Sequence, residues 1–275
     1  MRETHVKGRL VLAQFVLLAA AWGASFLFIK VGLEGLSPGQ VVLGRLLSGA
    51  IALAVVSVVT RQSLPGTLIA WAHLMVVSVL LCVIPFLLFA WAERHIGSGL
   101  ASIYNATTPL MTMLVALAAL PAERPSRARL AGLLTGFTGV LLVLAPWNGI
   151  GGGGLTAQGG CLLATASYGL AFVYLRRFVS PLGLNAVPAA TAQVCLGALI
   201  MLILTPALAI GPMRLSVAVV ISVLALGAVG TGLAYVWNNN VVTAWGATNA
   251  STVTYLTPVV GVILGVAILD RKSVV

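Results

Sequence analysis

Charge is what this chain of 275 residues has least of. Only 7% of its residues are Asp, Glu, Lys or Arg, while 60% are hydrophobic. That balance excludes a water-soluble globular domain, in which about a quarter of the residues are charged. The shortage is sharpest for acid. Five Asp and Glu stand against fifteen Lys and Arg, a net charge of +10. The acids are Glu3, Glu34, Glu93, Glu123 and Asp270, and none falls in the middle of an apolar run. A mid-membrane carboxylate relay is therefore not visible. Cysteine is scarce too. Cys82, Cys161 and Cys195 sit inside apolar runs without paired or metal-ligand spacing, so they read as small packing residues. No metal and no cofactor is expected. No HExxH and no Ser-His pair at a common depth is present, which argues against an intramembrane enzyme. Alternating apolar and polar residues are missing as well, and this disfavours a β-barrel.

What is present is a succession of continuous apolar runs, each near the roughly 20 residues that cross a bilayer as a helix. Nine spans are expected, at 10–32, 39–60, 70–92, 98–120, 129–146, 157–178, 184–206, 215–237 and 246–269. The fold class is thus an all-α polytopic membrane protein. With the N-terminus in the cytoplasm, the inner loops carry Arg2, Lys7, Arg9, Arg61, Arg124, Arg127, Arg129, Arg176 and Arg177, and the outer ones only Lys30, Arg94 and Arg214. This bias places the N-terminus inside. It also accounts for the basic charge without nucleic acid. The expected setting is the plasma (inner) membrane, and the expected partners are lipid and a small-molecule substrate. Trp71 and Trp91 fall where aromatic belts form.

Two stretches say nearly the same thing: ASIYNATTPL, Ala101 to Leu110, and ASTVTYLTPV, Ala250 to Val259. Pro109 and Pro258 lie in spans four and nine, five spans apart. AAWGASFLFIK in span one also resembles ASYGLAFVYLR in span six, each with an aromatic-Gly pair before a Phe and a terminal base. Between the halves lies GIGGGG, Gly149 to Gly154, a flexible joint. A repeat of an odd number of spans must enter the membrane from the opposite side, which is the inverted-topology plan of many transporters. The expected units are 1–148, a joint at 149–156, and 157–275.

Proline lacks an N–H, so Pro109 and Pro258 deprive the carbonyls of Asn105 and Thr254 of their helical partners. In hydrocarbon a bare carbonyl is costly, and it is tolerable beside a cavity or other protein. Two readings are open: kinks satisfied by Ser/Thr hydroxyls and packing, or a cavity lining. On the second, the substrate-binding candidates are Trp22, Tyr104, Asn105, Thr108, Pro109, Tyr168, Trp237, Asn238, Thr254, Tyr255 and Pro258. The kink carbonyls would then meet a ligand amine and the aromatic rings its apolar body. Asn238, Asn239 and Asn240 are expected to end span eight, as a polar gate or a plain helix end. Arg45, two turns inside span two, either snorkels to the outer interface or faces the cavity and attracts a carboxylate. Gly132 and Gly136 form a GxxxG that reads as close helix packing.

These residues resemble the EamA branch of the drug/metabolite transporter superfamily. The matching features are WGxxF from Trp22 to Phe26, Arg45 within GRLLSGA, and the small-residue fourth span with Pro109. AERPSRARLAGLLTGFTGVLLV around Glu123, YGxxF in the second half, and the Pro258 segment also fit. The resemblance covers nearly the whole chain. It implies ten helices in two inverted five-helix repeats, both termini in the cytoplasm, and export of small metabolites, amino acids prominent among them. Against that pattern, only nine spans are expected in this chain, without the tenth. The last six residues, DRKSVV from Asp270, are expected to be a read-through scar and are left out of fold reasoning.

Overall fold

A computed structural model describes residues 2–120, 126–144 and 154–269. Glu123, residues 149–153 of the glycine joint and residues 270–275 lie outside them. The described residues form helices and no strand. Each expected span overlaps one helical rod. These are α1 (Arg2–Gly32), α2 (Pro38–Val59), α3 (Leu68–Ala92), α4 (Ser98–Ala119) and α5 (Arg127–Leu144). There follow α6 (Leu155–Tyr174, with its turns to Leu182), α7 (Ala186–Leu208), α8 (Val217–Trp245) and α9 (Ala247–Ser251 through Thr257–Leu269). Six of them are long and apolar enough to cross a membrane. In lipid this architecture follows from backbone chemistry, since a helix satisfies its own polar groups.

The helix starts have local causes. Ser37 and Gln40 form a reciprocal capping box at α2, with Ser37 N donating to Gln40 Oε1 at 2.9 Å and Pro38 in the first turn. Thr67 and Ser216 cap α3 and α8. The end of α8 corrects an expectation. The helix does not stop at Asn238–Asn240 but runs to Trp245 and breaks at Gly246, whose φ of 82° suits glycine. Asn238 and Asn239 are consequently buried inside the helix and mark no terminus.

The helices pair in a pattern with internal correspondence. α2 lies along α7, with Ser57 and Thr191 hydroxyls 2.8 Å apart. α1 packs on α8 and α9, as α6 packs on α3 and α4. α2 touches α8 as α7 touches α3. α3 and α8 are both widened by a π turn, at Val79–Val83 and Ala228–Leu233. Those turns begin at the same interval as separates Pro109 from Pro258.

Glycine sets the closest approaches. A Cβ on Gly23 would come within 2.9 Å of the Thr257 carbonyl oxygen, and one on Gly169 within 2.8 Å of the Thr112 nitrogen. The glycines of the two aromatic-Gly motifs thus let α1 press on the kink of α9 and α6 on that of α4. The GxxxG expectation fares differently. Gly136 receives the ring of Tyr255, whereas a Cβ on Gly132 meets nothing within 4 Å among the described residues.

Candidate functional site

The two motifs do a second thing. On a helix, residues four apart share a face, so Trp22 and Phe26 point one way from α1, and Tyr168 and Phe172 one way from α6. These four rings line a cavity, joined by Phe86 and Phe89 from α3, Tyr235 from α8, and Ser25, Ile29, Arg45, Asn105 and Thr254. The space open to the centres of water-sized spheres is about 40 Å³, enough for a few waters. Its walls are a mesh of rings. Trp22 meets Tyr235 and Phe172 edge-on at 6.2 and 6.5 Å, Phe26 meets Phe89 at 5.7 Å, and Phe86 stacks on Tyr235 at 6.4 Å. Much of the lining is paired between the halves. Phe86 and Tyr235, and Asn105 and Thr254, stand at the interval of the two prolines.

Arg45 breaks the correspondence, because α7 contains no charged residue at all. Its side chain does not snorkel outward; it is 4% exposed and turned into the bundle. The guanidinium carbon sits 3.5 Å from the centre of the Phe86 ring, a cation–π contact. Nε donates to Thr231 Oγ1 at 2.7 Å and Nη2 to the Gly230 carbonyl at 3.3 Å. Both acceptors belong to the π turn of α8, where Thr231 in turn donates to the Leu226 carbonyl at 3.1 Å. A π turn widens the helical ladder and frees groups for such contacts. The matching turn in α3 offers the carbonyls of Leu80 and Leu81 to Ser167 and Tyr235, at 2.7 and 2.8 Å. No described carboxylate pairs with Arg45; the nearby Glu93 has no hydrogen bond to either oxygen.

The doubled stretch meets itself here. Asn105 Nδ2 donates to Thr257 Oγ1 at 3.2 Å, joining the two kinks across the bundle. Their carbonyls, however, are not bare. Thr108 Oγ1 donates to the Asn105 carbonyl at 2.7 Å, and Thr257 Oγ1 to the Thr254 carbonyl at 2.9 Å. Of the two readings left open for these carbonyls, the hydroxyl-satisfied kink is what is seen: the sequence supplies a threonine immediately before each proline.

Of the residues singled out from sequence, Trp22, Asn105, Tyr168 and Thr254 line the cavity. Thr108, Pro109 and Pro258 are buried in the kinks beside it. Tyr104 points away and donates to Gln158 Oε1 at 2.8 Å. Tyr255 donates to the Leu133 carbonyl at 2.8 Å and lies on α5. Trp237 packs against the cluster of Leu18, Ala21 and Val253. Asn238 lies one turn beyond Tyr235 on α8, fully buried, and neither of its amide atoms has a partner. Sequence reasoning missed Phe26, Phe86, Phe89, Phe172 and Tyr235. Phe26 and Phe172 carried a signal as the closing Phe of the two motifs; the others read as ordinary core.

The described residues thus form a polytopic helical bundle around an aromatic cavity that holds a buried guanidinium, an arrangement suited to a membrane transporter. The family model of the EamA-like transporter family matches residues 10–145 and 156–273, and the chain belongs to that family. It is 27% identical over 268 residues, 96% of this chain and 84% of the relative, to the protein named Uncharacterized transporter YdfC of Bacillus subtilis (strain 168). It is also 27% identical to Protein PagO of Salmonella typhimurium (strain LT2), over 46% of this chain and 43% of that one. A solved crystal structure shares the fold with a TM-score of 0.72 at 18% identity, covering 95% of this chain and 89% of that chain. The family and the name of the Bacillus relative indicate a transporter rather than an enzyme.

Proposed function

We propose that this transporter exports small amphipathic metabolites, amino acids foremost, across the plasma membrane by alternating access of two inverted repeats. The repeats are 1–148 and 157–275, joined by 149–156, with the N-terminus in the cytoplasm. Trp22, Asn105, Tyr168 and Thr254 contact the solute. Thr108, Pro109 and Pro258 shape the kinks that carry these contacts.

The observation that carries the reading is the cavity's chemistry. Aromatic walls surround a buried guanidinium that no described carboxylate pairs with. An unpaired buried charge is costly, and a substrate carboxylate removes that cost. Arg binds carboxylates through a planar donor fork. An apolar or aromatic tail would lie on the rings.

Alternating access is supported by the corresponding helix pairings and by contacts at both ends. At one end Arg214 N donates to the Gly35 carbonyl at 2.8 Å, and Gln40 Nε2 to those of Ala209 and Gly211. At the other, Asn185 Nδ2 donates to Gln62 Oε1 at 3.1 Å, on the surface. Between the cavity and that second end, Asn238 and Asn239 are buried with unpartnered amides, as is the Thr248 hydroxyl. Buried amides without partners are costly, and opening at this end would hydrate them. The test is uptake of labelled phenylalanine or leucine into inside-out vesicles, with expression matched between variants. Asn105→Ala and Tyr168→Ala are expected to impair it without loss of insertion. Wild-type rates in both would overturn the assignment of the cavity to substrate.

A further inference from the structure

Only one acid in the described chain is enclosed this completely. Glu93 follows the last residue of α3, is 0% exposed, and has no hydrogen-bond partner on either carboxylate oxygen. Its helix presents carbonyls at this end, and their partial negative charge opposes an ionised carboxylate. Nearby residues Phe89, Ala92, Ile96 and Leu100 belong to one apolar cluster with Ala157 and Cys161 of α6. The titratable and charged groups that face it are Lys30 from α1, Arg45 from α2 and Cys161 from α6; α4 adds Tyr104, which is turned to Gln158. Arg94 and His95, beside it in the chain, are exposed. Lys30 comes close without pairing. Its Nζ donates to the backbone carbonyl of Glu93 at 2.8 Å and reaches that of Ile96 at 3.5 Å.

We propose that Glu93 is a proton-binding site linked to the substrate cavity: it holds a proton while this end of the bundle is closed over it and gives it up to water when the end opens. On opening, Lys30 is positioned to exchange the carbonyl for the ionised carboxylate. The linkage to substrate is electrostatic. With Glu93 neutral, Arg45 has no competing anion in its surroundings, so the field favours a bound carboxylate. With Glu93 ionised, that attraction is partly cancelled. Protonation and carboxylate binding therefore favour one another, and the coupling is reciprocal.

The direction with pH follows from burial. Desolvation raises the Glu93 carboxyl well above its ordinary value of 4.5, opposed first by Lys30 and then by Arg45. The closed form thus binds the proton more tightly than a hydrated form. It is favoured at low pH and progressively disfavoured as pH rises from the ordinary carboxylate value through the raised one.

This proposal rests on the transporter reading for its linkage but not for the proton site, so the test has two arms. The first is infrared difference spectroscopy of the purified full chain in lipid during a pH titration. A protonated-carboxyl C=O band should persist at neutral pH in the wild type and be missing in Glu93→Gln. In Lys30→Gln it should survive to higher pH, because the opposing cation is gone. A wild-type band lost at the ordinary carboxylate pH, or one that persists in Glu93→Gln, overturns the proposal. The second arm measures binding of L-phenylalanine across the same range. Wild-type affinity should weaken with rising pH by up to about tenfold per unit, and Glu93→Gln should be flat. Equal slopes in the two proteins would sink the linkage while leaving the first arm to judge the site. Failure of phenylalanine to bind at any pH would count against the substrate reading and the linkage together.

Discussion

At the scale of the residue, Arg45 decides most. Aromatic walls alone would accept any apolar solute, whereas a buried guanidinium selects for an anion. Its two protein partners, Thr231 and Gly230, occupy part of the donor fork and fix its direction. Arg45→Gln keeps hydrogen bonding and removes the charge. A hydrogen bond to a charged group is worth about 1.5–3 kcal/mol, so affinity for a carboxylate solute should fall roughly ten- to a hundredfold. Equilibrium binding of phenylalanine, compared with its carboxyl amide, checks this. The amide should bind both proteins equally weakly. Arg45 was visible in the sequence as a lone base in an apolar span. Whether such a base leaves toward water or turns inward is not encoded in its neighbours. It turned inward because the π turn of α8, distant in sequence, supplies two acceptors and Phe86 a ring.

At the scale of the element, the two kinked helices are built on one device. A threonine before each proline caps the carbonyl that the proline abandons. Thr108→Val and Thr257→Val should leave a buried carbonyl unsatisfied and cost about 1–3 kcal/mol each, while Thr108→Ser should cost little. Thermal unfolding of the purified protein in detergent reads the order. The glycines provide a second test by the same measurement. Gly169→Ala drives a methyl into the backbone of α4 and should destabilise by about 1–3 kcal/mol, as overpacking does. Gly132→Ala meets open space and should be neutral or stabilising by about 0.5–1 kcal/mol through helix propensity. A larger loss at Gly132 than at Gly169 would contradict the packing described. The Thr-Pro pairs and the aromatic-Gly pairs were both legible in the sequence. The hydroxyl caps were legible as one of the two open readings, since each threonine lies beside its proline; the misplaced end of span eight and the open face of Gly132 were not, since each depends on which neighbour arrives.

At the scale of the whole molecule, two ends are held by different bonds. The end at Gly35 and Arg214 is joined by backbone and Gln40 hydrogen bonds, the end at Gln62 and Asn185 by that exposed amide pair and by Arg176 and Arg177, which donate to the Thr243 and Ala119 carbonyls at 2.9 and 2.8 Å. Joining Gln62→Cys to Asn185→Cys by a disulfide should stop uptake into vesicles, and reduction should restore it. Uptake undisturbed by complete cross-linking would refute movement at that end. Sidedness is tested separately. Ser63 and Met213 are exposed at opposite ends. Ser63→Cys should react with an impermeant thiol reagent only from the cytoplasmic side and Met213→Cys only from outside. The native cysteines are buried or half-buried and give little background. The reverse pattern would invert the proposed orientation.

The sequence by itself determined that this chain lives in lipid as helices and where nearly every span begins. Both follow from runs of apolar residues whose backbone must satisfy itself within the bilayer. It also determined that two stretches repeat, since likeness between distant segments needs no structure to be seen. Only the tertiary structure decided what the repeats do. Trp22 with Phe26 and Tyr168 with Phe172 face one another because Gly23 and Gly169 let their helices press against the two kinks. Phe86 and Tyr235 stack although they lie on α3 and α8. Glu93 falls in the middle of no apolar run, and packing nevertheless enclosed it. Burial and partnership are properties of three-dimensional neighbours, and a linear pattern carries them only when both partners lie on the same helix turn.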